Sequence, residues 1–346
     1  VYRRTLYQPY QAHIARNSSE VISGITNKVE GVLFGVLQPL LTLVSSTMLL
    51  VAIMVALITI DPMVASVAAA GFGASYALIS WMSRRKLRQN SQRIASEQTQ
   101  VVKSLQEGLG GIRDVLLDGS QPVYCDIYLR ADYPLRRAQG SNVFIGTSPK
   151  AAMEAMGMVL IAALAYALSL QGGIATALPV LGALALGAQR LLPALQNIYG
   201  AWAAIIGNYA ALAATIELLD QPLSEDLLQT KPAPLLFQSA IHFDAVRFRY
   251  TSESPWVLDG FNLNIPKGAK VGFIGSTGSG KSTTLDILMG LLMPTEGEFL
   301  VDGQSIAIKH LRAWQRNIAH VPQSIYLADA TLAENIAFGV PPDTID

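Results

Sequence analysis

Long apolar runs dominate the first two thirds of the chain. Residues 31–60 contain no charged side chain, and further apolar runs with few charged side chains follow at 62–85, 150–170 and 175–205. A helix needs about 20 apolar residues to cross the hydrocarbon core of a bilayer. Buried helices of a large soluble protein are the alternative, but the length and number of these runs argue against it. The pattern therefore predicts an all-α bundle with four membrane-spanning helices.

Two kinds of connector separate the predicted spans. Asp61 and Pro62 form a short break, since Asp is a good N-cap and Pro suits the first helical position, and residues 171–173 form another. Neither break contains Lys or Arg, whereas the connectors around 84–113 and 130–150 are rich in both. Cytoplasmic loops carry the excess of Lys and Arg. We therefore expect the basic connectors and both ends of the chain to lie in the cytoplasm.

The pattern changes after a linker at residues 222–238 that contains three prolines. From residue 239 onward, short strand-like segments alternate with helix-like ones, as in a soluble α/β domain. We predict a membrane domain at 1–221 and a partial α/β domain at 239–346. The predicted strands are 241–250, 257–265, 270–274, 298–302 and 318–321, and the predicted helix is 282–292.

The composition agrees with a membrane protein. Hydrophobic residues make up 51% of the chain and charged residues only 14%, whereas a soluble protein usually carries about a quarter charged residues. The formal net charge is zero, so nothing indicates a nucleic-acid partner. Cys125 is the only cysteine, which excludes an internal disulfide and a cysteine metal cluster. The chain begins with Val1 and has no recognisable signal peptide, and we expect its true N-terminus to be missing.

The strongest chemical signal lies at residues 275–282. They match the phosphate-loop pattern G-x-x-x-x-G-K-[ST], between a predicted strand and a predicted helix. The glycines let backbone N–H groups turn toward phosphates, and the start of the helix adds its positive end. In this pattern Lys281 reaches the β and γ phosphates and Ser282 ligates Mg²⁺. A chance Gly-rich turn is the alternative, but the flanking strand and helix favour nucleotide binding.

Further motifs accompany this loop. Tyr250 ends an early strand, Val-Pro-Gln at 321–323 comes about 40 residues after the loop, and TLAENIAFG follows at 331–339. In the membrane half, the break at Asp61 and the segment GGIRDV at 110–115 complete the set. With these motifs the chain resembles an ABC transporter of the exporter type, in which a membrane domain is fused to a nucleotide-binding domain. The resemblance covers essentially all 346 residues.

The resemblance also implies parts that this sequence does not contain. An exporter half has six transmembrane helices, of which the last four are predicted here. The LSGGQ-type signature, the Walker B carboxylates, the catalytic glutamate and the switch histidine would lie beyond Asp346. We therefore interpret the chain as an internal piece of a longer transporter, ending in a truncated phosphate-loop NTPase domain. Its residues explain nucleotide binding better than the rate of hydrolysis.

Particular residues acquire roles from the resemblance. Tyr250 would stack on the adenine of ATP, with an ordinary strand-end tyrosine as the alternative. Gln323 would contact Mg²⁺ or the attacking water and, with Lys281, serve the catalytic step. Residues 107–118 would supply a coupling helix that docks on a nucleotide-binding domain, with a solvated helical turn as the alternative. The implied contacts with ATP and Mg²⁺ in the loop are Gly275, Ser276, Thr277, Gly278, Ser279, Gly280, Lys281, Ser282 and Thr283.

Arg190 lies inside the last predicted span. A charged side chain at membrane depth costs about 2.5–3.5 kcal/mol or more, so it is usually paired or functional. A structural partner such as Glu154 is one interpretation, and contact with an anionic part of a transported substrate is the other. Residues 148–150, 190–193 and 326–329 look most like the subgroup that flips lipid-linked oligosaccharides.

Three functions remain open from the sequence. The first is an ATP-driven flippase or exporter of a lipid-linked or amphipathic substrate, working by alternating access. The second is an exporter of a peptide, toxin or drug, because the same scaffold serves both. The third is a membrane-anchored ATP-binding regulator without transport. The resemblance implies an integral membrane protein that pairs with a second half-transporter as a homodimer, with ATP and Mg²⁺ as cofactors and the lipid bilayer as its surroundings.

Overall fold

The computed structural model separates the chain into two compact units. One unit is formed by Val1–Gln8 and Ala12–Pro222, and the other by Pro9–Gln11 and Leu223–Asp346. The residues that the structure describes are 1–60, 62–172, 174–223, 232–323 and 325–345.

Helices account for nearly all of the described chain up to Leu219. Two short π-helical segments, Gly24–Lys28 and Leu33–Leu37, interrupt the helical stretch between residues 18 and 60. The long helices begin and end on either side of the breaks predicted from Asp61 and from residues 171–173. The helices are α1 (Tyr2–Leu6), α2 (Tyr10–Ile14), α3 (Ser18–Ser23), α4 (Val29–Val32), α5 (Gln38–Ile60), α6 (Pro62–Gly110), α7 (Ile112–Leu117), α8 (Gln121–Thr147), α9 (Pro149–Gly172), α10 (Ile174–Gly207) and α11 (Tyr209–Leu219).

Two helical stretches of the described chain, Ser18–Thr59 and Ala65–Gly110, are long and apolar enough to cross a membrane. A third joins them if the pair Gln189–Gly207 and Tyr209–Leu219, bent by 55°, counts as one span. Asp61 and Gly173, the centres of the two predicted breaks, lie outside the described residues. So do most side chains between residues 160 and 188, so the predicted number of four spans stays a prediction.

Aromatic and aliphatic side chains pack the long helices together. Phe72 and Tyr76 of α6, Met153 of α9 and Tyr199 of α10 belong to one buried cluster. The rings of Tyr76 and Tyr199 lie 5.6 Å apart and tilted, a favourable arrangement for aromatic pairs. Many other apolar side chains of α5 and α6 face outward, among them Met48 and Trp81. An apolar exterior around a packed helix bundle suits a lipid environment.

A break that contains Gly111 separates α6 from α7. Helix α6 continues far beyond the basic residues at 84–86 and ends at Gly110, and α7 begins at Ile112 with Gly111 as its N-cap. Helix α8 then returns along α6. The pair is fixed by a hydrogen bond of 2.8 Å from the Asn90 side-chain amide to Asn142 Oδ1.

The second unit contains a small antiparallel sheet with strand order β2-β1-β3-β4. Its core is aromatic, with Phe243, Phe248 and Phe299 of the strands packed near Trp314. The strands are β1 (Ala240–Phe248), β2 (Leu258–Pro266), β3 (Glu296–Val301) and β4 (Gln304–Ser305). The helices are α12 (Lys281–Leu288), α13 (Ile308–Gln315) and α14 (Leu332–Ile336), followed by a 3₁₀ turn at Pro342–Thr344.

Two predicted strands are wrong. Residues 270–274 and 318–321 belong to no strand, and several of their apolar side chains face outward, with Ile274 99% and Val321 89% exposed. A strand needs a neighbour for its backbone N–H and C=O groups. The four strands of the described sheet pair only with one another, so these two segments have no neighbour in the part of the chain that the structure describes.

The predicted helix at 282–292 and the predicted strand at 241–250 are each too long. Helix α12 ends at Leu288 because Gly290, at φ +66°, closes it with a bond of 2.9 Å from its N–H to the Ile287 carbonyl. Strand β1 ends at Phe248, so Tyr250 lies just beyond the sheet. This ending places the Tyr250 side chain beside α12 rather than in the β-ladder.

Candidate functional site

The phosphate-loop segment turns into α12 through two glycines. Gly278 and Gly280 both have φ of +85°, a left-handed conformation that glycine adopts without strain. A β-carbon on Gly280, the N-cap of α12, would also lie 3.0 Å from Leu258 Cδ2. The first N–H groups of a helix have no intrahelical acceptor. The start of α12 is therefore suited to an anion held against the loop.

Lys281 folds back over the loop that precedes it. Its Nζ donates hydrogen bonds of 2.8 Å to the Gly275 carbonyl and 2.7 Å to the Ser276 carbonyl, with Ser279 Oγ at 3.4 Å. A β-carbon on Gly275 would lie only 2.5 Å from Ser279 Oγ, which explains glycine at that position. The ammonium group thus lies at the mouth of the loop, where the charge of a phosphate would meet it.

Tyr250 lies beside the same helix. Its hydroxyl is 3.0 Å from Thr283 Oγ1, and its ring stands edge-on to Phe248 with centroids 5.0 Å apart. The side chain remains 39% exposed. The structure therefore brings Tyr250 and Thr283 together and leaves part of the tyrosine ring open to a flat partner.

Ser282 and Gln323 line one cavity of about 690 Å³. They come from α12 and from the extended segment after α13, so folding joins two motifs that are far apart in the sequence. Asp286 and His320 line the same cavity, and sequence reasoning missed both. Asp286 follows Ser282 by one helical turn, and this spacing of four residues on α12 is the signal that could have found it.

Burial raises the pKa of the Asp286 carboxyl above its ordinary value, and the charge of His320 partly counters this effect. A carboxyl group one helical turn from Ser282 adds a further oxygen near the predicted magnesium ligand. In the described part of the chain, no group of three or more His, Cys, Asp or Glu side chains is placed so that it could hold a metal ion. A magnesium ion held at Ser282 and Gln323 would take further oxygen ligands from a bound phosphate.

In the membrane half, the structure places two further predicted sites. Helix α7, inside the segment 107–118, buries Val115 but exposes Ile112, Leu116 and Leu117. Arg190 is exposed and has no ion pair within the described residues. Glu154 lies 3.4 Å, through Oε1, from the Gln196 side-chain amide that donates to it. The structure therefore does not pair Arg190 with Glu154.

The chain combines a bundle of membrane helices with a phosphate loop that turns at two glycines. These features define the class of membrane proteins that carry a phosphate-loop nucleotide domain. Comparison with protein families is more specific. The family model described as ABC transporter transmembrane region matches residues 1–175, and the one described as ABC transporter matches residues 258–344. The chain belongs to the ABC transporter family. The predicted resemblance to an exporter with both parts in one chain is confirmed.

Curated relatives include flippases and toxin transporters. An ATP-dependent lipid A-core flippase of Alkalilimnicola ehrlichii is 27% identical over 272 residues, which are 78% of this chain and 46% of that protein. The leukotoxin translocation ATP-binding protein LktB of Mannheimia glucosida is 38% identical over 104 residues, 30% of this chain and 15% of that protein. The chain thus spans about half the length of the flippase that it matches most fully here.

Among solved structures, a bacterial Atm1-family ABC exporter with ATP bound has a similar fold. The TM-score is 0.80, and the match covers 98% of this chain and 59% of that one. Sequence identity is 20%, so this likeness concerns the fold alone.

Proposed function

We propose that the protein is an ATP-driven ABC exporter that flips a lipid-linked or amphipathic substrate across the membrane. One observation carries the proposal: helices apolar enough to cross a membrane are followed in the same chain by a phosphate-loop segment with two left-handed glycines and with Lys281 folded back over it. The match of both ABC transporter regions supports it.

The loop residues fit ATP and Mg²⁺. The backbone N–H groups at 275–283 and the Lys281 ammonium would hold phosphate oxygens, and Tyr250 would stack on the adenine. The Ser282 hydroxyl and the Gln323 side-chain oxygen are hard ligands of the kind that Mg²⁺ prefers. Mg²⁺ bound with the nucleotide would supply charge neutralisation at the phosphates. Lys281 would exchange its bonds to the loop carbonyls for bonds to phosphate oxygens.

Coupling to the membrane is proposed to run through α7. Two nucleotide-binding domains would close on each other and pull on the segment 107–118, whose exposed apolar side chains offer a docking face. This requires a second half-transporter, and we propose a homodimer with the nucleotide-binding domains in the cytoplasm. The basic connectors at 84–113 and 130–150 support that orientation.

The substrate class follows from the flippase relatives and from Arg190. Three relatives that are lipid A-core flippases match the chain at 27–36% identity, and Arg190 is a cation without an ion pair among the described residues. We propose that Arg190 contacts an anionic group of an amphipathic lipid. Export of a peptide or toxin is the second candidate, favoured by the leukotoxin transporters, although their match is limited to about a third of the chain.

ATPase activity of the full-length protein in lipid vesicles tests the substrate class. We expect polyprenyl-diphosphate oligosaccharides to stimulate the rate, and Arg190→Ala to abolish the stimulation but keep the basal rate. The exposed Arg130, which pairs with Asp126, provides the control Arg130→Ala. If such lipids left the ATPase rate unchanged and peptides raised it, peptide export would replace lipid flipping as the proposed function.

A further inference from the structure

A second, separate cavity lies between α6 and α8, beyond the apolar part of α6. Its volume is about 350 Å³. We call it the basic cavity, because three of its lining residues are cationic. They are Lys86 and Arg93 on α6 and Arg137 on α8, and the remaining lining residues are Asn90, Pro134, Ala138 and Ser141.

No carboxylate is among the lining residues of the basic cavity. Neither Lys86, Arg93 nor Arg137 forms an ion pair there. The two carboxylates of α8 pair with other arginines, Asp126 with Arg130 at 2.6 Å and Asp132 with Arg136 at 3.1 Å. Like charges facing one cavity repel each other, and an anion between them removes that repulsion.

One wall of the basic cavity is held in place by buried hydrogen bonds. Asn90 is 4% exposed and donates to Asn142 Oδ1 at 2.8 Å. The Asn142 amide in turn donates to the Gly207 carbonyl at 3.4 Å. This chain ties α6, α8 and α10 together behind the cavity. A cavity whose wall is fixed before binding loses less entropy when a ligand enters.

The position of the basic cavity along α6 matches the polar layer of a bilayer. Trp81 is 77% exposed, and tryptophan side chains are enriched at membrane–water interfaces. Lys86 follows Trp81 by five residues, or about 7.5 Å of helix. The headgroup layer on each side of the hydrocarbon core is about 5–8 Å thick. With Trp81 at the interface, this spacing would place Lys86 at headgroup depth and Arg93 further out along the same helix.

We propose that the basic cavity binds the phosphate of an anionic phospholipid and that this phosphate bridges α6 and α8. Lys86 and Arg137 donate charge-assisted hydrogen bonds to it, with the Ser141 hydroxyl as a neutral donor. The same groups would accept a soluble phosphate, but the headgroup depth of Lys86 favours a lipid. The site is separate from the phosphate loop and from Arg190, and it acts on the packing of the membrane helices rather than on the transported molecule.

Thermal unfolding of the purified full-length protein in neutral detergent tests the proposal. The probes are phosphatidylglycerol, phosphatidylcholine and inorganic pyrophosphate, each titrated separately. We expect phosphatidylglycerol to raise the melting temperature and phosphatidylcholine to have no effect. In the double variant Lys86→Gln with Arg137→Gln, the apparent affinity for phosphatidylglycerol falls by about tenfold or more, since two charged contacts are lost. Arg85→Gln with Arg88→Gln removes the same charge from α6 outside the cavity and keeps the response.

A second variant tests the same cavity through a gain of thermal stability. Ser141→Glu places a carboxylate in the basic cavity, so it raises the melting temperature without lipid and removes the response to phosphatidylglycerol. Equal responses in the wild type and the Lys86/Arg137 variant would overturn the proposal. So would an equal loss in the Arg85/Arg88 control, which would indicate a general surface charge effect. A response to pyrophosphate with none to phosphatidylglycerol would overturn the lipid assignment.

Discussion

At the residue scale, the function depends on a few positions where only one residue type fits. Gly280 has a φ of +85°, and a β-carbon added to it would lie 3.0 Å from Leu258 Cδ2. Lys281 directly follows it and already bonds to the loop carbonyls. The loop is therefore preorganised by its backbone, and a single added methyl group disturbs it.

Gly280→Ala tests this preorganisation. A left-handed conformation costs a non-glycine residue about 1–2 kcal/mol, and the contact with Leu258 adds to that. We expect the affinity of the full-length protein for a fluorescent ATP analogue to fall by about tenfold or more. Gly140→Ala is the control, because no atom outside its own helix lies within 4 Å of a β-carbon there. Unchanged affinity in Gly280→Ala would contradict the proposed loop geometry.

Asp302 stabilises the sheet next to the site. Its carboxylate accepts the backbone N–H groups of Gln238, Ser239 and Ala240 at 2.6–2.8 Å. These bonds, the one from Gln238 first, lower the pKa of Asp302 below its ordinary 3.8. A carboxylate with a lowered pKa contributes stability that is fully present above the unfolded pKa and is lost as the pH falls through the folded pKa.

Asp302→Asn therefore destabilises the nucleotide-binding unit at neutral pH, and the difference from the wild type shrinks below about pH 4. Guanidinium unfolding followed by tryptophan fluorescence, at pH 7 and at pH 3, measures it. Asp244→Asn is the control, since Asp244 is exposed and makes no side-chain hydrogen bond in the described chain. A difference of equal size at both pH values would show that the carboxylate charge has no part in the effect.

Much of the site at this scale could be predicted from the sequence, because the phosphate loop is a local pattern. The role of Asp302 could not be predicted from its place at the end of a strand. Asp302 and Gly303 have φ of +50° and +78° between the paired residues Val301 and Gln304, the two-residue turn that Asp-Gly favours. The turn was readable from that dipeptide, but the three bonds to residues 238–240 depend on the tertiary fold.

At the element scale, α7 carries the proposed coupling. It is a six-residue helix between two glycine-containing turns, and it buries Val115 while exposing Leu116 and Leu117. Exposed apolar side chains on a short, defined helix form a compact docking face. The face is small enough for one substitution to alter it.

Leu117→Glu tests the docking face. Leu117 is 75% exposed, so a carboxylate there leaves the fold intact and places a charge in an apolar contact. We expect unchanged ATP-analogue binding but a several-fold loss of substrate-stimulated ATPase activity in vesicles. Leu129→Glu on α8, also exposed, is the control and keeps the stimulation. Full stimulation in Leu117→Glu would exclude α7 from coupling.

Prediction of elements succeeded for the helices and failed for two strands. Long apolar periodicity and glycine breaks are local signals, and they located α5, α6 and α7. Residues 270–274 and 318–321 have the apolar composition of buried strands, but composition cannot supply a neighbouring strand. Since β-pairing is non-local, an apolar run predicts a strand only where the fold provides its partner.

At the scale of the whole molecule, the orientation in the membrane decides on which side the phosphate loop lies. The basic connectors predict that α7, together with the adjoining parts of α6 and α8, lies in the cytoplasm. Cys125 at the start of α8 is exposed and is the only cysteine of this chain. It is therefore a natural probe of the predicted side.

A membrane-impermeant maleimide should label Cys125 in permeabilised cells but not in intact ones. The readout is the labelled fraction of the full-length protein, with Cys125→Ser as the control for any other thiol. Labelling of intact cells that disappears in Cys125→Ser would reverse the proposed orientation and separate the phosphate loop from cytoplasmic ATP.

The most direct test of the central claim is ATP-dependent translocation of a fluorescent lipid-linked oligosaccharide by the full-length protein in vesicles. The account predicts that Lys281→Ala abolishes translocation while membrane insertion and folding persist, because the ammonium group that meets the phosphates is lost. Lys309→Ala, which removes an exposed lysine of α13 outside the loop, keeps translocation at the wild-type rate. Translocation that continues in Lys281→Ala would contradict the assignment of the phosphate loop as the motor.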